Sequence, residues 1–314
     1  MYEVKRYTPD MADLWNSFAG KSKQGTFLFN RSYMDYHSDR FLDNSLMLWK
    51  KQHLCALLPA NKSNDILYSH QGLTYGGLLT DQKATVIEVC EIFRTINDYL
   101  RHAGFKGVVY KAIPWIYHQF PAEEDLYALT NICNARLNVR HISSTLMMDN
   151  RIKFIESRKS GIRKARRAGI QIYESEDLPA FWTILDTNLE KKYKTHPVHT
   201  LKELQLLKSR FPDQIKLFMA FNKEKKAIGG TLIYETAQVV HTQYISASPE
   251  GKKDGALDLL FDYLLNTVFA NQKKYFDFGK SSNGDGHELN TSLIFQKEGF
   301  GGRGVCYDEY SWNL

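Results

Sequence analysis

Hydrophobic residues in the first half of the chain recur at helical and at strand-like spacings. Between residues 82 and 102 the apolar side chains stand three and four positions apart, which predicts a long amphipathic helix. These positions are Val86, Val89, Phe93, Ile96 and Leu100. After Gly104 the apolar run KGVVYKAIP predicts a buried strand. Further patterns predict strands at 45–49, 53–59 and 142–148, and helices at 8–18 and 123–134.

The pattern restarts near residue 149. It predicts a basic helix over 151–168, a strand at 170–174, helices at 177–193 and 200–210, and three strands across 215–247. A helix over 255–270 then leads into the strand KYFDFG. The order of helix, turn and buried strand in FRTINDYLRHAGFKGVVYKAIP occurs again in FDYLLNTVFANQKKYFDFGKSS, as a duplication or as chance.

This element order predicts an α/β fold with mixed sheets, divided into domains at 1–148 and 149–314. No linker rich in Pro, Gly or Ser separates the halves, so we expect the domains to pack closely. The apolar content of 43% is that of a globular chain, and no apolar run reaches the roughly 18 residues of a membrane helix. The N-terminus lacks the apolar core of a signal peptide, so we expect a cytoplasmic protein.

Positive charge is concentrated in one segment. The chain carries a net charge of +6, whereas residues 151–168 hold eight basic and one acidic side chain, a net +7 that leaves the remainder at −1. On a helix, Lys153, Arg163, Lys164 and Arg167 would share one face. Such a face is either a solvated helix surface or a binding surface for phosphate groups or an acidic partner.

A second candidate binding element lies at the turn in VVHTQYISASPEGKKDGALDLLFDYLL, which predicts a strand, a glycine-containing turn and a helix. The unpaired amides at a helix start bind phosphate well, and glycine allows an anion to approach closely. The alternative is that Asp254 caps the helix and occupies these amides itself.

Three segments of the second half carry a family likeness: SGIRKARRAGIQIY, the strand, turn and helix just quoted, and FDFGKSSNGDGHELNTSLIFQKEGFGG. Together they resemble the Fem-type branch of the GNAT acyltransferase superfamily. The resemblance covers most of residues 157–302. It implies two GNAT-like domains in tandem and the formation of amide bonds in cell-envelope precursors. The donor would be an acyl group on coenzyme A or on tRNA. The helices at 177–210 are too short for the coiled-coil arm of some tRNA-using members, which slightly favours acyl-CoA.

The resemblance also implies roles for individual residues. Lys297 matches the lysine of the family's Phe-Lys pair, which is thought to stabilise the oxyanion of acyl transfer, although Gln296 replaces the phenylalanine. The alternative is that Lys297 merely ends a helix. The phosphate loop would comprise Lys252, Lys253, Gly255 and Ala256, with Lys252 and Leu257 departing from the usual pattern. Arg163, Lys164 and Arg167 would hold phosphates of the substrates.

Candidates for a general base are Asp277, His241, His287 and Glu288, of which Asp277 is carried forward as a catalytic residue. Tyr75, in the glycine-rich run SHQGLTYGGLL, is a candidate for the acceptor cleft, with a tight hairpin as the alternative. We expect no metal site, since His196 and His199 lack a helical spacing and a carboxylate partner in sequence.

The combined hypothesis is an N-acyltransferase that moves an acetyl or aminoacyl group from a phosphate-bearing donor to an amine on an envelope or polysaccharide precursor. Acyl-CoA or aminoacyl-tRNA would act as co-substrate, and no cofactor would be bound permanently. The alternative hypothesis is a non-catalytic protein that binds nucleic acid or an acidic partner through the basic helix 151–168.

Overall fold

A computed structural model of the chain describes residues 2–284 and 286–314, without the side chain of Tyr193. The residues form two compact units, each described by itself. One comprises 1–141, 282–288 and 306–314, and the other comprises 142–281 and 289–305. The chain therefore changes unit after residues 141, 281, 288 and 305, whereas the sequence prediction has one boundary between residues 148 and 149.

The first unit, which we call the N-terminal unit, contains two groups of strands with helices between them. Its elements are β1 (Tyr2–Arg6), α1 (Ala12–Lys21), α2 (Arg31–Met34), β2 (Leu42–Asp43), β3 (Leu46–Lys50), β4 (His53–Leu58), β5 (Asn61–Ser63), β6 (Ile66–Tyr68), β7 (Leu79–Thr80), α3 (Val86–His102), β8 (Gly107–Lys111), α4 (Glu124–Asn131) and the start of β9 (Arg136–Met147). One sheet has the order β1-β3-β4-β7. Strands β2, β5, β6 and β8 pair in that order in the other sheet, with β6 and β8 parallel.

Helix α3 illustrates why these residues fold as they do. Thr85 and Glu88 form a capping box that satisfies the first backbone amides of the helix. The buried face of α3 includes Val89, Phe93, Ile96 and Leu100, four of the five positions that the spacing predicts, whereas Val86 in the first turn is exposed. This face packs into a core that also contains Tyr110 and Trp312.

The second unit, the C-terminal unit, is built on a single mixed sheet. Its elements are α5 (Glu156–Arg167), β10 (Gln171–Glu174), α6 (Leu178–Tyr193), α7 (Leu201–Arg210), β11 (Ile215–Phe221), β12 (Ala227–Glu235), β13 (Val239–Ala247), α8 (Pro249–Asp254), α9 (Ala256–Tyr263), β14 (Tyr275–Lys280), α10 (Thr291–Glu298) and the start of β15 (Arg303–Asn313). The strand order is β10-β11-β12-β13-β14-β9. All neighbours are antiparallel except β13 and β14, which are parallel. The predicted α/β class is thus confirmed.

The basic helix is shorter than the sequence predicts. It begins at Glu156 rather than at residue 151, so Ile152 and Ile155 precede it, and both are exposed. The buried side chains of α5 are Ile162 and Ala165, which pack against α9 together with its Ala256. The apolar contacts of α5 are therefore made by these two residues in the middle and later part of the helix.

Candidate active site

The parallel strands β13 and β14 separate after a short stretch of pairing. Their ladder runs from Val239 beside Tyr275 to His241 beside Asp277 and then stops, although β13 continues to Ala247. On its other side β14 has an irregular register between Asp277 and Lys280, and Gly279 within that stretch has a φ of +72°. A bulge of this kind redirects backbone and side chains, and glycine adopts a positive φ without steric cost.

The gap beside these strands is a cavity of about 480 Å³. Its apolar wall contains three phenylalanines that also form part of the core of this unit: Phe261, Phe278 and Phe300. Lysines Lys191, Lys192 and Lys252 are exposed residues of the same wall. The cavity thus combines an apolar body with positively charged side chains in contact with solvent.

Lys297 lies in this wall and is only 5% exposed. Asn290 caps the start of α10, and Lys297 follows in the last helical turn with its side chain directed onto β14. Its Nζ donates to the carbonyl oxygens of Gly279 and Lys280, each at 2.8 Å. Since an ammonium has three N–H groups, these bonds leave one for a ligand in the cavity.

Burial lowers the pKa of Lys297 from 10.5 to about 8, because the interior solvates the charged form poorly, and the negative charge of Asp277 opposes this change. Half or more of the side chains therefore carry a charge at any pH below about 8. Lys297 does lie in the last turn of a helix, but its ammonium is fixed on a strand beside a cavity rather than exposed at the helix end.

Asp277 is completely buried on β14. Its Oδ1 accepts hydrogen bonds from the hydroxyl of Ser143, from that of Thr145 at 2.9 Å and from the amide of Gly279 at 3.3 Å. Its Oδ2 lies 2.8 Å from Nδ1 of His241. The structure thus joins two of the candidate bases, Asp277 and His241, in one hydrogen-bonded pair.

The predicted phosphate loop is mostly engaged in its own hydrogen bonds. Ser248 Oγ accepts a hydrogen bond from the amide of Gly251, and the amide of Gly255 donates one to the carbonyl oxygen of Gly251. No described side chain caps the start of α9, so the interpretation of Asp254 as its cap is wrong. A β-carbon on Gly255 would lie 2.6 Å from the carbonyl oxygen of Gly161 in α5. Helix α5 therefore approaches the start of α9 closely.

The four loop residues proposed to bind the donor lie in different surroundings. Lys252 lines the cavity, and its Nζ donates to Asn188 at 3.0 Å. Lys253 is exposed and its carbonyl accepts from Lys164 Nζ at 2.6 Å, whereas Ala256 is buried in the contact between α5 and α9. Of these four residues, the described cavity wall includes Lys252.

The basic side chains of α5 are largely paired with acids. Arg158 binds Asp258 at 2.6 Å, and Arg166 binds Asp262 at 2.7 Å. Arg163 binds Glu156 at 2.6 Å. The exposed residues Arg163, Lys164 and Arg167 are not part of the described cavity wall. Arg158 and Arg166 therefore hold α5 against α9, whereas Arg163 pairs within α5 itself.

The remaining candidates belong to the N-terminal unit or are engaged elsewhere. Tyr75 is buried between Phe29 and Tyr117, with its hydroxyl donating to Thr26 at 3.3 Å. His287 and Glu288 are exposed residues of the same unit.

The two histidines of the HPVH motif have separate partners within the C-terminal unit: His196 pairs with Asp186, and His199 with the hydroxyl of Tyr244. In the part of the chain that the structure describes, no group of three His, Cys, Asp or Glu side chains could hold a metal ion.

Sequence reasoning missed several residues of the cavity. Lys191 and Lys192 lie in the last turn of α6. Asn188, one turn earlier, donates to Ser246 Oγ and to the carbonyl of Ala247 on β13. These contacts join segments far apart in the chain, which a local pattern cannot reveal. Ser143 and Thr145 did carry a signal, because polar residues in an otherwise apolar strand often serve a buried polar partner.

Comparison with known proteins relates the fold to solved structures. No protein-family model matches the chain, and no curated protein matches it in sequence. The structure of FemX aligns with a TM-score of 0.71 at 10% identity, over 99% of this chain and 97% of FemX. That of L-PGS from Bacillus licheniformis gives 0.63 at 13% identity, over 98% and 92%. A tandem GNAT protein from the clavulanic acid biosynthesis pathway gives 0.50 at 10% identity, over 100% and 98%.

The chain has the tandem GNAT fold of the Fem-like proteins. This confirms the fold that the sequence resemblance implies. TM-scores of 0.71 and 0.63 establish a shared architecture with FemX and L-PGS, but the sequence identities are only 10% and 13%, so residue roles have to be argued from the site of this chain. Among the described helices of this Fem-like fold, none has both the length and the apolar composition of a membrane span.

Proposed function

We propose that the protein is an N-acyltransferase whose reacting carbonyl lies in the cavity beside β13 and β14. The observation that carries this proposal is the position of Lys297. Its ammonium is buried, held by two backbone carbonyls, and in contact with a cavity large enough for an acyl group and part of its carrier. A fixed cation in a site of low polarity stabilises a developing oxyanion strongly, because no reorganisation is needed during the reaction.

The reaction begins when a neutral amine attacks the carbonyl carbon of the acyl donor. The C–N bond forms and the carbonyl electron pair moves to oxygen, where the remaining N–H of Lys297 donates to it. Collapse of this intermediate breaks the bond to the carrier, whose sulfur or oxygen leaves with the electron pair and receives the proton lost by the nitrogen, and an amide remains. Lys297 acts only on the charge that appears in the transition state, so its removal lowers kcat rather than the affinity for the donor.

The donor is a carrier with phosphate groups, for which acyl-CoA is the first choice and aminoacyl-tRNA the second. The charged lysines at residues 191, 192 and 252 support this choice, because they bring three ammonium groups to the wall of a mainly apolar cavity. The loop amides are engaged in hydrogen bonds of their own, so side chains rather than backbone amides hold the phosphates. The resemblance of three sequence segments to the Fem-type branch implies an acceptor amine on an envelope or polysaccharide precursor.

The alternative function, binding of nucleic acid through the basic helix, is weakened by the ion pairs of α5. Arg158, Arg163 and Arg166 each have an acidic partner on this unit, which reduces the charge available to a phosphate backbone. Binding of this kind would fall steeply with salt and would not depend on Lys297.

The test is a panel of acyl-CoA thioesters and aminoacyl-tRNAs, each offered with a set of amine acceptors. Release of free thiol or transfer of a labelled amino acid reports turnover. We expect one donor class to be consumed and Lys297→Met to lower kcat by about 10²–10³-fold. Lys202→Met, an exposed change on α7, is the matched control and should leave turnover unchanged. An inert wild-type protein, or full activity of Lys297→Met, would overturn the proposal.

A further inference from the structure

We propose that Gln296 determines the specificity for the acyl group, and that the transferred group carries an uncharged hydrogen-bonding substituent, such as a hydroxyl, close to the reacting carbonyl. This inference rests on the proposed function and adds to it the chemical class of acyl group that the cavity takes.

Gln296 belongs to the face of α10 that lines the cavity. Leu293, Gln296 and Lys297 all contribute to the cavity wall. Leu293 is three positions from Gln296 and four from Lys297, and residues at these spacings share one face of a helix. Gln296 is half-buried and directly precedes Lys297, so the Cα atoms of the two residues are about 3.8 Å apart. A ligand group that contacts Gln296 therefore lies in the same part of the cavity as the carbonyl that Lys297 polarises.

The side-chain amide of Gln296 makes no hydrogen bond with any other residue that the structure describes. The described wall contains two further uncharged polar side chains, those of Asn188 and Ser246. Asn188 donates to Ser246 Oγ at 2.7 Å and to the carbonyl of Ala247 at 2.8 Å, and its oxygen accepts from Lys252 Nζ at 3.0 Å. These two side chains therefore bind each other and their neighbours, whereas the carbonyl oxygen and the NH₂ group of Gln296 can bind a ligand.

The apolar surroundings of this amide make it selective. Leu257, Phe261 and Phe278 belong to the same wall. An alkyl acyl group in the cavity would displace water from the amide of Gln296 and leave the amide without a hydrogen-bond partner, which is unfavourable. A site with such a polar group rejects a ligand that cannot bond to it more strongly than an apolar pocket rejects an extra methylene. The wall therefore favours an acyl group that bears a hydrogen-bonding substituent.

The charges of the wall disfavour a cationic acyl group. The wall contains four lysines and, among its described residues, no Asp or Glu. A protonated amino group on the acyl chain would find no carboxylate there. It would also face the ammonium of Lys297, which two backbone carbonyls hold in place. Like charges a few Å apart in a partly buried site repel each other strongly. The uncharged amide of Gln296 therefore fits a neutral polar acyl group better than a protonated aminoacyl group.

The first experiment compares matched acyl groups on coenzyme A, or on tRNA if the panel identifies tRNA as the carrier. Lactoyl is paired with isobutyryl, and 3-hydroxybutyryl with isovaleryl, so that a methyl group replaces the hydroxyl in each pair. Alanyl replaces the hydroxyl of lactoyl by an amine. At pH 7 we expect kcat/KM to be about tenfold or more higher for the hydroxylated member of at least one pair, and for lactoyl over alanyl. Equal values within both pairs, or a preference for alanyl, would overturn the proposal.

The second experiment identifies the residue responsible. Gln296→Leu keeps the approximate size of the side chain but cannot form hydrogen bonds, so the preference for the hydroxylated acyl group should fall to about twofold or less. Gln296→Glu places a carboxylate in the wall and should shift the ratio of kcat/KM for alanyl over lactoyl upward by about tenfold. Gln205→Leu, an exposed change on α7, is the matched control and should leave all ratios unchanged.

The outcomes separate this inference from the proposed function. If Gln296→Leu lowers kcat/KM equally for both members of a pair, Gln296 contacts the carrier rather than the acyl group, and the inference is wrong while the transferase stands. A wild type that prefers alkyl or aminoacyl groups and loses activity in Lys297→Met has the same meaning. A wild-type protein that consumes no donor overturns the proposed function, and this inference with it.

Discussion

Replacing Lys297 by methionine removes a charged group that affects both stability and catalysis. As the pH rises, the contribution of Lys297 to the free energy of unfolding should become more favourable, whereas its contribution to turnover should decrease. The lysine is 5% exposed, and burial lowers its pKa from 10.5 to about 8. At neutral pH the ammonium is charged in both the folded and the unfolded chain, so folding bears the full cost of burying it. As the pH rises above about 8, the folded lysine loses its proton before the unfolded one does.

The magnitude follows from the two pKa values. A difference from 10.5 to about 8 corresponds to about 3 kcal/mol when each unit is worth 1.36 kcal/mol. The unfolded chain binds more protons than the folded chain between these values, so the free energy of unfolding rises with pH in this window. Between pH 7 and 9.5 the gain is about 2 kcal/mol for the wild type, and Lys297→Met lacks it.

Urea unfolding of the wild type and of Lys297→Met at pH 7 and 9.5 measures this gain, because all other titrating groups are common to both proteins. Turnover should move in the other direction. Since the oxyanion needs a charged partner, the wild-type rate should fall above pH 8. Lys297→Arg should show a lower but flatter profile, because a guanidinium stays charged.

Two results would refute this reasoning. One is a wild-type unfolding free energy that, after subtraction of the value for Lys297→Met, stays constant or falls between pH 7 and 9.5, which would mean that burial does not lower the pKa of Lys297. The other is an alkaline loss of activity that persists unchanged in Lys297→Arg, which would assign this titration to another group.

Three further outcomes test the surroundings of the site. Gly279→Ala should cost about 1–2 kcal/mol in urea unfolding and lower kcat, because its φ of +72° strains a residue with a β-carbon; an unchanged protein would contradict the bulge. Arg158→Met leaves the half-buried Asp258 unpaired and should lower the free energy of unfolding by about 1–3 kcal/mol. The exposed pair of Arg163 with Glu156 should contribute under about 0.5 kcal/mol, so equal losses from Arg158→Met and Arg163→Met would contradict this assignment. Lys252→Met should raise the KM for a phosphate-bearing donor about threefold at unchanged kcat, and an unchanged KM would exclude it from donor binding.

The sequence predicts elements well where a local signal is strong. Helix α7 occupies 201–210 within the predicted 200–210, because Thr200 and Glu203 form a capping box before a periodic apolar face. The sequence predicts the start of α5 too early, because its N-cap, Ile155, provides no side-chain hydrogen bond and therefore no signal in the sequence.

The candidate site could be predicted only in part. Lys297 can be identified from the sequence, because its resemblance to the family's lysine depends on the residues next to it in the chain. Its two carbonyl partners depend on a bulge in β14, and the bond from Asp277 to His241 depends on strand pairing across 36 positions of the chain. Both features arise from tertiary structure, so no pattern along the chain could specify them.

The end of the β13–β14 ladder at His241 and Asp277 has a consequence for selectivity. The gap between the strands begins at their last paired residues, His241 and Asp277, and the carboxylate of Asp277 is buried there. Its width therefore depends on how far these two paired strands lie apart. We expect turnover to depend on the width of the acyl group, with a sharp cut-off rather than a gradual decline as the acyl group becomes bulkier.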